Sequence, residues 1–183
     1  MVITMVKGAG TDGVDRDRVY VGSDGDGRRA AVHVVHDLPH LVVESLFGIT
    51  DGLWGELAGG RHDGASRAAT ARHPKRQKQG RIVSGAASAS RTDEWLSGGH
   101  RLAKTVTNAV VNRWGDGPDT PDGVRCRLDR EKTQSIQELM CRVDDDTITA
   151  AIQGVRELNR LWASTPPGGT LRLTWPLDRT IFC

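Results

Sequence analysis

The stretch from Asp144 to Trp175, DDDTITAAIQGVRELNRLWASTPPGGTLRLTW, decides the fold class, because it holds a helix followed by a strand. Aspartates 144–146 suit a helix N-terminus, where carboxylates accept free N–H groups and oppose the macrodipole. Apolar residues then recur at helical spacing, at Ile148, Ile152, Val155, Leu158 and Trp162. The run Pro166–Gly169 ends the helix. After it, apolar residues alternate with polar ones and predict a strand with one buried face, formed by Leu171, Leu173 and Trp175.

The N-terminal part of the chain predicts short strands. Residues 2–7 form one, and residues 18–22 and 28–35 form a hairpin around the turn-forming run Ser23–Gly27. Strands, then helices, then a last strand favour an α+β fold over alternating βαβ units. We therefore expect a single two-layer α+β domain over residues 1–183. Its sheet is small, antiparallel or mixed, and combines the N-terminal strands with the C-terminal strand against a layer of helices.

Helical periodicity marks the centre of the chain. A first helix is expected from about residue 38 to 47, with Asp37 as N-cap, Pro39 in the first turn and Gly48 as C-cap. A short helix follows at 53–58. A second amphipathic face comprises Leu102, Val106, Ala109, Val110 and Trp114. Residues 124–128 predict a short strand, and residues 135–143 predict a short helix, with a strand as the alternative.

Composition excludes several protein classes. The chain has 183 residues, 37% of them hydrophobic, and three cysteines without a CxxC pair. An odd number of cysteines in this arrangement argues against a disulfide framework or a zinc ribbon. No apolar run approaches the length of a membrane span or a secretory signal. We therefore expect a cytoplasmic protein without a membrane partner, and the sequence leaves open whether it forms a homo-oligomer.

Charge is unevenly distributed along the chain. Residues 61–91 carry eight Lys and Arg against the single acid Asp63, a net charge of +7 in a protein whose total is +2. The segment shows no periodicity and is expected to be a flexible loop. It could contact nucleic acid or an acidic partner. Aromatic residues for base stacking are missing from it, so a solvated loop is favoured over a nucleic-acid arm.

The densest chemical segment is residues 33–44, HVVHDLPHLVVE. Histidine titrates near neutrality, and His40 and Glu44 stand one helical turn apart, as a base and its orienting carboxylate would. His36 and Asp37 are the other expected catalytic members. Four further residues are expected to bind substrate: His33, Asp51, Arg61 and His100.

Two alternatives to acid–base catalysis remain for this segment. One is a zinc or iron site, and thus a metal-dependent hydrolase, because His36, His40 and Glu44 share a four-residue spacing and His36-Asp37-x-x-His40 is similar to the HExxH pattern. The position of Pro39 weakens it, since His36 is then expected to precede the helix. The other is structural, with Asp37 capping the helix and Glu44 paired with an arginine. No cofactor is favoured.

Two segments of the sequence resemble those of other proteins. The first runs from His36 to Glu44 and continues through Gly48, Asp51-Gly52 and Trp54-Gly55; the second comprises Trp162 and residues 166–176. Together they resemble a group of uncharacterised actinobacterial proteins of similar length. The resemblance covers about a quarter of the chain and implies no activity and no catalytic residue.

These observations combine into one functional expectation. The chain is expected to be a small bacterial enzyme that acts on a small molecule, in specialised metabolism, by His/carboxylate acid–base catalysis of the cyclase, lyase or isomerase type. A non-enzymatic binding or regulatory protein that uses residues 61–91 is the expectation from a different class.

Overall fold

The computed structural model describes most of the chain, namely residues 1–9, 17–22, 27–30, 32–60, 98–113 and 115–178. Within these residues a four-stranded antiparallel sheet is joined by six helices. The α+β class expected from the order of the elements is therefore confirmed. The basic stretch 61–91, with the candidate Arg61, lies outside the described residues.

The sheet contains β1 (Val2–Val6), β2 (Arg18–Gly22), β3 (Arg28–Ala30) and β4 (Thr170–Thr174). Its strand order is β3-β2-β1-β4 and every neighbouring pair is antiparallel. The last strand thus returns beside the first, as expected. β3 is shorter than the predicted strand at 28–35, because residues 34 and 35 already belong to a helix.

The helices are α1 (Val34–Phe47), α2 (Leu53–Ala58), α3 (Gly98–Val110), α4 (Pro121–Asp129), α5 (Gln134–Met140) and α6 (Asp145–Ser164). α1 packs against α2, α3 and α6 and is the centre of the helical layer. α6 follows the sequence closely. Asp144 is its N-cap and accepts the N–H of Thr147 at 2.8 Å, and all five predicted apolar positions are buried.

The predicted start of α1 was wrong by four residues. The helix begins at Val34, its N-cap is His33 rather than Asp37, and Pro39 lies inside it. Proline has no N–H to donate to the carbonyl of Val35, so one helical hydrogen bond is lost. Burial offsets that loss, because Leu38, Leu41 and Val42 are at most 1% exposed. Gly48 ends the helix in the left-handed region, at φ 66°, as expected.

The predicted strand at 124–128 was also wrong, since these residues belong to α4. The Thr120 hydroxyl accepts the N–H of Gly123 at 3.3 Å, and Pro121 occupies the first turn. Val124 and Leu128, one turn apart, are both fully buried. The start signal of a threonine followed by proline was present in the sequence. In the next segment the helical prediction is confirmed by α5.

Candidate functional site

The first turn of α1 holds an aspartate–histidine pair. Oδ2 of Asp37 accepts the backbone N–H of His33 at 2.8 Å, and Oδ1 lies 2.7 Å from Nδ1 of His36. Asp37 therefore caps the helix from inside it and also holds the His36 ring. The His36 side chain is 58% exposed, whereas that of Asp37 is 15% exposed. A proton on Nδ1 of His36 leaves Nε2 as the acceptor nitrogen.

His40 lies one turn further along α1 and stacks on His36, with ring centroids 5.7 Å apart and an interplanar angle of 27°. Nδ1 of His40 lies 3.4 Å from Oγ1 of Thr107 on α3. Burial lowers the pKa of His40 to about 4, with smaller contributions in the same direction from His36, His100 and Lys104 and an opposing one from Asp37. His40 is therefore neutral at pH 7.

Glu44 is buried and binds the N-terminus of α2. Its Oε1 accepts the N–H of Leu53 at 2.9 Å, and its Oε2 accepts those of Trp54 at 2.8 Å and Gly55 at 3.2 Å. Burial raises the pKa of Glu44 to about 7 against these three hydrogen bonds, which lower it. The carboxylate thus caps α2 from another helix. The free N–H groups and the dipole at the N-terminus of a helix stabilise a negative charge there.

Glycines make room for this capping. A Cβ on Gly52 would overlap the carboxyl group of Glu44, and a Cβ on Gly55 would overlap the carbonyl of Thr50. Once held, α2 reaches back to the first turn of α1, because Nε1 of Trp54 donates to the carbonyl oxygen of Asp37 at 3.0 Å. Glu44 is therefore connected to Asp37 through α2.

The start of α3 packs against the loop before α2 and against α2 itself. The carboxylate of Asp51 fills the space that a side chain at Gly99 would need. Nδ1 of His100 lies 3.7 Å from Oε1 of Glu56 on α2, with both side chains largely buried. His100 and Lys104 both lower the pKa of His40, and Thr107 of the same helix contacts His40 directly.

The structure brings together some of the expected residues and separates others. His36 contacts Asp37 and stacks on His40, whereas His100 of α3 lies beside Glu56 of α2. The expected His40–Glu44 dyad is not formed, since both oxygens of Glu44 bind backbone N–H groups of α2. His33 is the exposed N-cap. Arg61 lies outside the described residues.

The metal alternative does not match the geometry of its proposed ligands. Over the described part of the chain, no group of three or more His, Cys, Asp or Glu side chains is arranged to hold a metal ion. His36, His40 and Glu44 all belong to that part. All three residues do lie on α1, which continues through Pro39. The carboxylate of Glu44, however, accepts hydrogen bonds from the N-terminus of α2.

Sequence reasoning missed Glu56, Lys104 and Thr107. The signal for two of them was present, because His100, Lys104 and Thr107 are spaced by four and three residues, which is one face of a helix. Glu56 carried no such signal, since its distance to His100 depends on how α2 meets α3.

A cavity of about 620 Å³ lies apart from the histidines. It is bounded by β1, β2, β3 and the end of α2, with lining residues that include Val21, Arg28 and Leu57. None of its lining residues is a histidine. We give more weight to the histidines of α1 for chemistry, because none of the lining residues of the cavity has an Asp, Glu, His or Cys side chain.

Comparison with known proteins identifies no relative. No protein-family model, curated protein or solved structure matches this chain. The resemblance to an actinobacterial group therefore stays a prediction. Among the described helices, none is long and apolar enough to span a membrane.

Proposed function

We propose that this protein is a small-molecule enzyme whose general base is the imidazole of His36, oriented by the carboxylate of Asp37. The observation that carries the proposal is the 2.7 Å contact between Nδ1 of His36 and Oδ1 of Asp37, on an imidazole that is 58% exposed. A carboxylate on one ring nitrogen fixes the tautomer and stabilises the imidazolium that forms when the other nitrogen takes a proton.

The reaction class is proton transfer to and from a small organic substrate, of the cyclase, lyase or isomerase type. Nε2 of His36 removes a proton from the substrate, and the imidazolium returns it to the product. Neutral His40 supports this chemistry. Its pKa of about 4 keeps a second positive charge away from the imidazolium on which it stacks.

Glu44 has a positioning role in this proposal instead of the orienting role expected from its spacing. It holds the N-terminus of α2, and α2 holds the carbonyl of Asp37 through Nε1 of Trp54. The contacts around the base thus come from Asp37, His40 and the α2 N-terminus, and all of them restrict how the first turn of α1 can move.

An assay that does not depend on knowing the substrate tests this proposal. A bacterial metabolite extract is incubated with the protein in ²H₂O, and deuterium incorporation is followed by mass spectrometry. A general base that exchanges carbon-bound protons labels its substrate or product. We expect protein-dependent labelling that falls at least about 100-fold in His36→Gln, the lower end of what general acid–base catalysis contributes.

Two matched variants sharpen the assay. Asp37→Asn should also lower the labelling rate, because an amide cannot stabilise the imidazolium as a carboxylate does. Arg142→Gln changes an exposed side chain in the turn between α5 and α6 and should leave the rate unchanged. Full labelling by His36→Gln, or no protein-dependent labelling at all, would show that the proposal is wrong.

A further inference from the structure

The sheet has two faces of different chemistry. The helices cover the face that carries Ile3, Met5, Val19 and Val21, all of which are at most 2% exposed. Strand alternation sends the other residues to the opposite, outward face. Its positions are Val2, Thr4, Val6, Arg18, Tyr20, Gly22, Arg29, Thr170, Arg172 and Thr174.

Strand register aligns four outward residues in one row across the sheet. Thr4 pairs with Tyr20 on β2 and with Arg172 on β4, and Tyr20 pairs with Arg29 on β3. The row therefore reads Arg29, Tyr20, Thr4, Arg172. Neighbouring strands lie about 4.8 Å apart, so the Cα atoms at the two ends of the row are about 14 Å apart. Arg18 belongs to the adjacent row, opposite Val6.

The outward face is cationic and polar. Three of its positions are arginines, and none of the described strand positions on it is Asp or Glu. Arg29 and Arg172 are exposed, and Tyr20 is partly exposed between them. Three threonines add hydroxyl groups, and the two valines are only partly exposed. Such a face offers little apolar area to a hydrophobic partner.

We propose that this outward face of the sheet binds single-stranded nucleic acid, with Arg29 and Arg172 on phosphates and the ring of Tyr20 stacked on a base. The arrangement combines what such binding needs, namely cations along the backbone path and an aromatic platform between them. Thr4 offers a hydroxyl in the same row to a phosphate, a sugar or a base edge. An acidic peptide has no planar base for Tyr20. A lipid surface would need apolar side chains to insert, and the valines of this face are only partly exposed.

Fluorescence anisotropy with a 5′-labelled, mixed-sequence, twelve-nucleotide single strand, prepared as RNA and as DNA, tests the proposal on the full chain. Each phosphate contact to a single strand contributes about −0.7 to the slope of log K against log salt. We expect Arg29→Glu/Arg172→Glu to weaken binding at least tenfold and to reduce the magnitude of that slope by about 1.4. Arg156→Glu/Arg160→Glu on α6 makes the same charge change at exposed sites and should alter affinity less than twofold.

Tyr20 provides a direct probe, because it is the only tyrosine in the chain. Labelled with ¹³C in its ring, it gives NMR signals that report on this face alone, and base stacking should shift them upfield on titration. Tyr20→Phe should keep the affinity, whereas Tyr20→Leu should lose roughly fivefold or more, the lower end of a stacking contribution.

Three results would overturn the proposal. The first is binding that survives Arg29→Glu/Arg172→Glu but is lost in Lys75→Glu/Lys78→Glu, since the basic segment would then be the site. The second is unchanged Tyr20 ring signals at saturating oligonucleotide. The third is no binding to either oligonucleotide, whether or not polyglutamate or phosphatidylserine vesicles bind.

Discussion

The carboxylate of Glu44 lies against the backbone N–H of Trp54 at 2.8 Å, ten residues further along the chain. This contact joins the middle of α1 to the start of α2, and α2 in turn fixes the carbonyl of Asp37 through the Trp54 indole. A residue with the spacing of a catalytic partner thus acts as a remote helix cap. It also couples the stability of the fold to the geometry of the Asp37–His36 pair.

Glu44→Ala should be among the most destabilising single substitutions in this protein. It leaves the N–H groups of Leu53, Trp54 and Gly55 without an acceptor, and those of Trp54 and Gly55 are buried. Each unsatisfied buried donor costs about 1–3 kcal/mol, so we expect a loss of about 3–5 kcal/mol in the free energy of unfolding, measured by urea denaturation. Glu138→Ala, at an exposed position of α5, is the control and should change stability far less. Equal effects would contradict the capping role.

His40 and Glu44 should give stability opposite pH dependences. The folded pKa of Glu44 is raised from 4.5 to about 7, so its contribution is fully present below pH 4.5 and is lost as pH rises through 7. The folded pKa of His40 is lowered from 6.5 to about 4. Protonation of His40 therefore favours the unfolded state, and its contribution is fully present above pH 6.5 and is lost as pH falls towards 4.

The two effects oppose each other between pH 4.5 and 6.5, so wild-type stability should vary little there on their account. In Glu44→Gln only the contribution of His40 remains, so the free energy of unfolding should rise with pH over this window. In His40→Leu only the contribution of Glu44 remains. The free energy of unfolding should then fall with rising pH, by up to about 3 kcal/mol between pH 4.5 and 7. Thermal or urea unfolding across pH measures both slopes. Parallel curves for both variants would refute the assignment.

Two adjacent glycines at the start of α3 should respond differently to alanine. A methyl group at Gly99 would overlap the carboxyl group of Asp51, whereas one at Gly98 meets no described atom within 4 Å. Gly99→Ala must displace Asp51 and should cost about 1–3 kcal/mol, as overpacking does. Gly98→Ala should be neutral or stabilising by up to about 1 kcal/mol, since alanine is the better helix former. The difference in melting temperature between the two variants checks this.

Arg127 should be a structural cation. Its side chain is 2% exposed, and it donates to the carbonyl oxygens of Ala109, Asp116 and Pro118, which ties the end of α3 to the following loop. Arg127→Met removes these bonds and should cost about 2–4 kcal/mol. Arg130→Met is the matched control, because exposed Arg130 binds the side chain of the same Asp116. It should lower the melting temperature much less, and a comparable drop would contradict the role of Arg127.

Local patterns predicted the elements whose signals lie within a few residues. α6 has its N-cap, its apolar face and its terminator in one continuous stretch, and all of them behave as the sequence indicates. The predicted start of α1 was wrong because Pro39 was assigned to the first turn of the helix. Burial of Leu38, Leu41 and Val42 is a long-range effect, and it outweighs the one hydrogen bond that Pro39 removes.

The candidate site divides in the same way. Asp37 contacts its sequence neighbour His36, and His40, one turn away, stacks on His36, while their catalytic role stays a prediction. The partner of Glu44 was not predictable from spacing, because i, i+4 spacing brings Cβ atoms together without fixing where a long side chain points. The nearest unsatisfied N–H groups belong to α2, and only the turn at Gly48–Gly52 brings them to Glu44.

The sequence by itself determined the α+β class, the N-cap and apolar face of α6, and the strands at the two ends of the chain. These properties depend on residues close together along the chain, so short-range sterics and hydrogen bonds decide them. Tertiary structure alone decided the extension of α1 through Pro39, the capping of α2 by Glu44 and the row from Arg29 to Arg172 across the sheet. Each of these depends on segments distant in sequence, which are brought together by burial of a shared core.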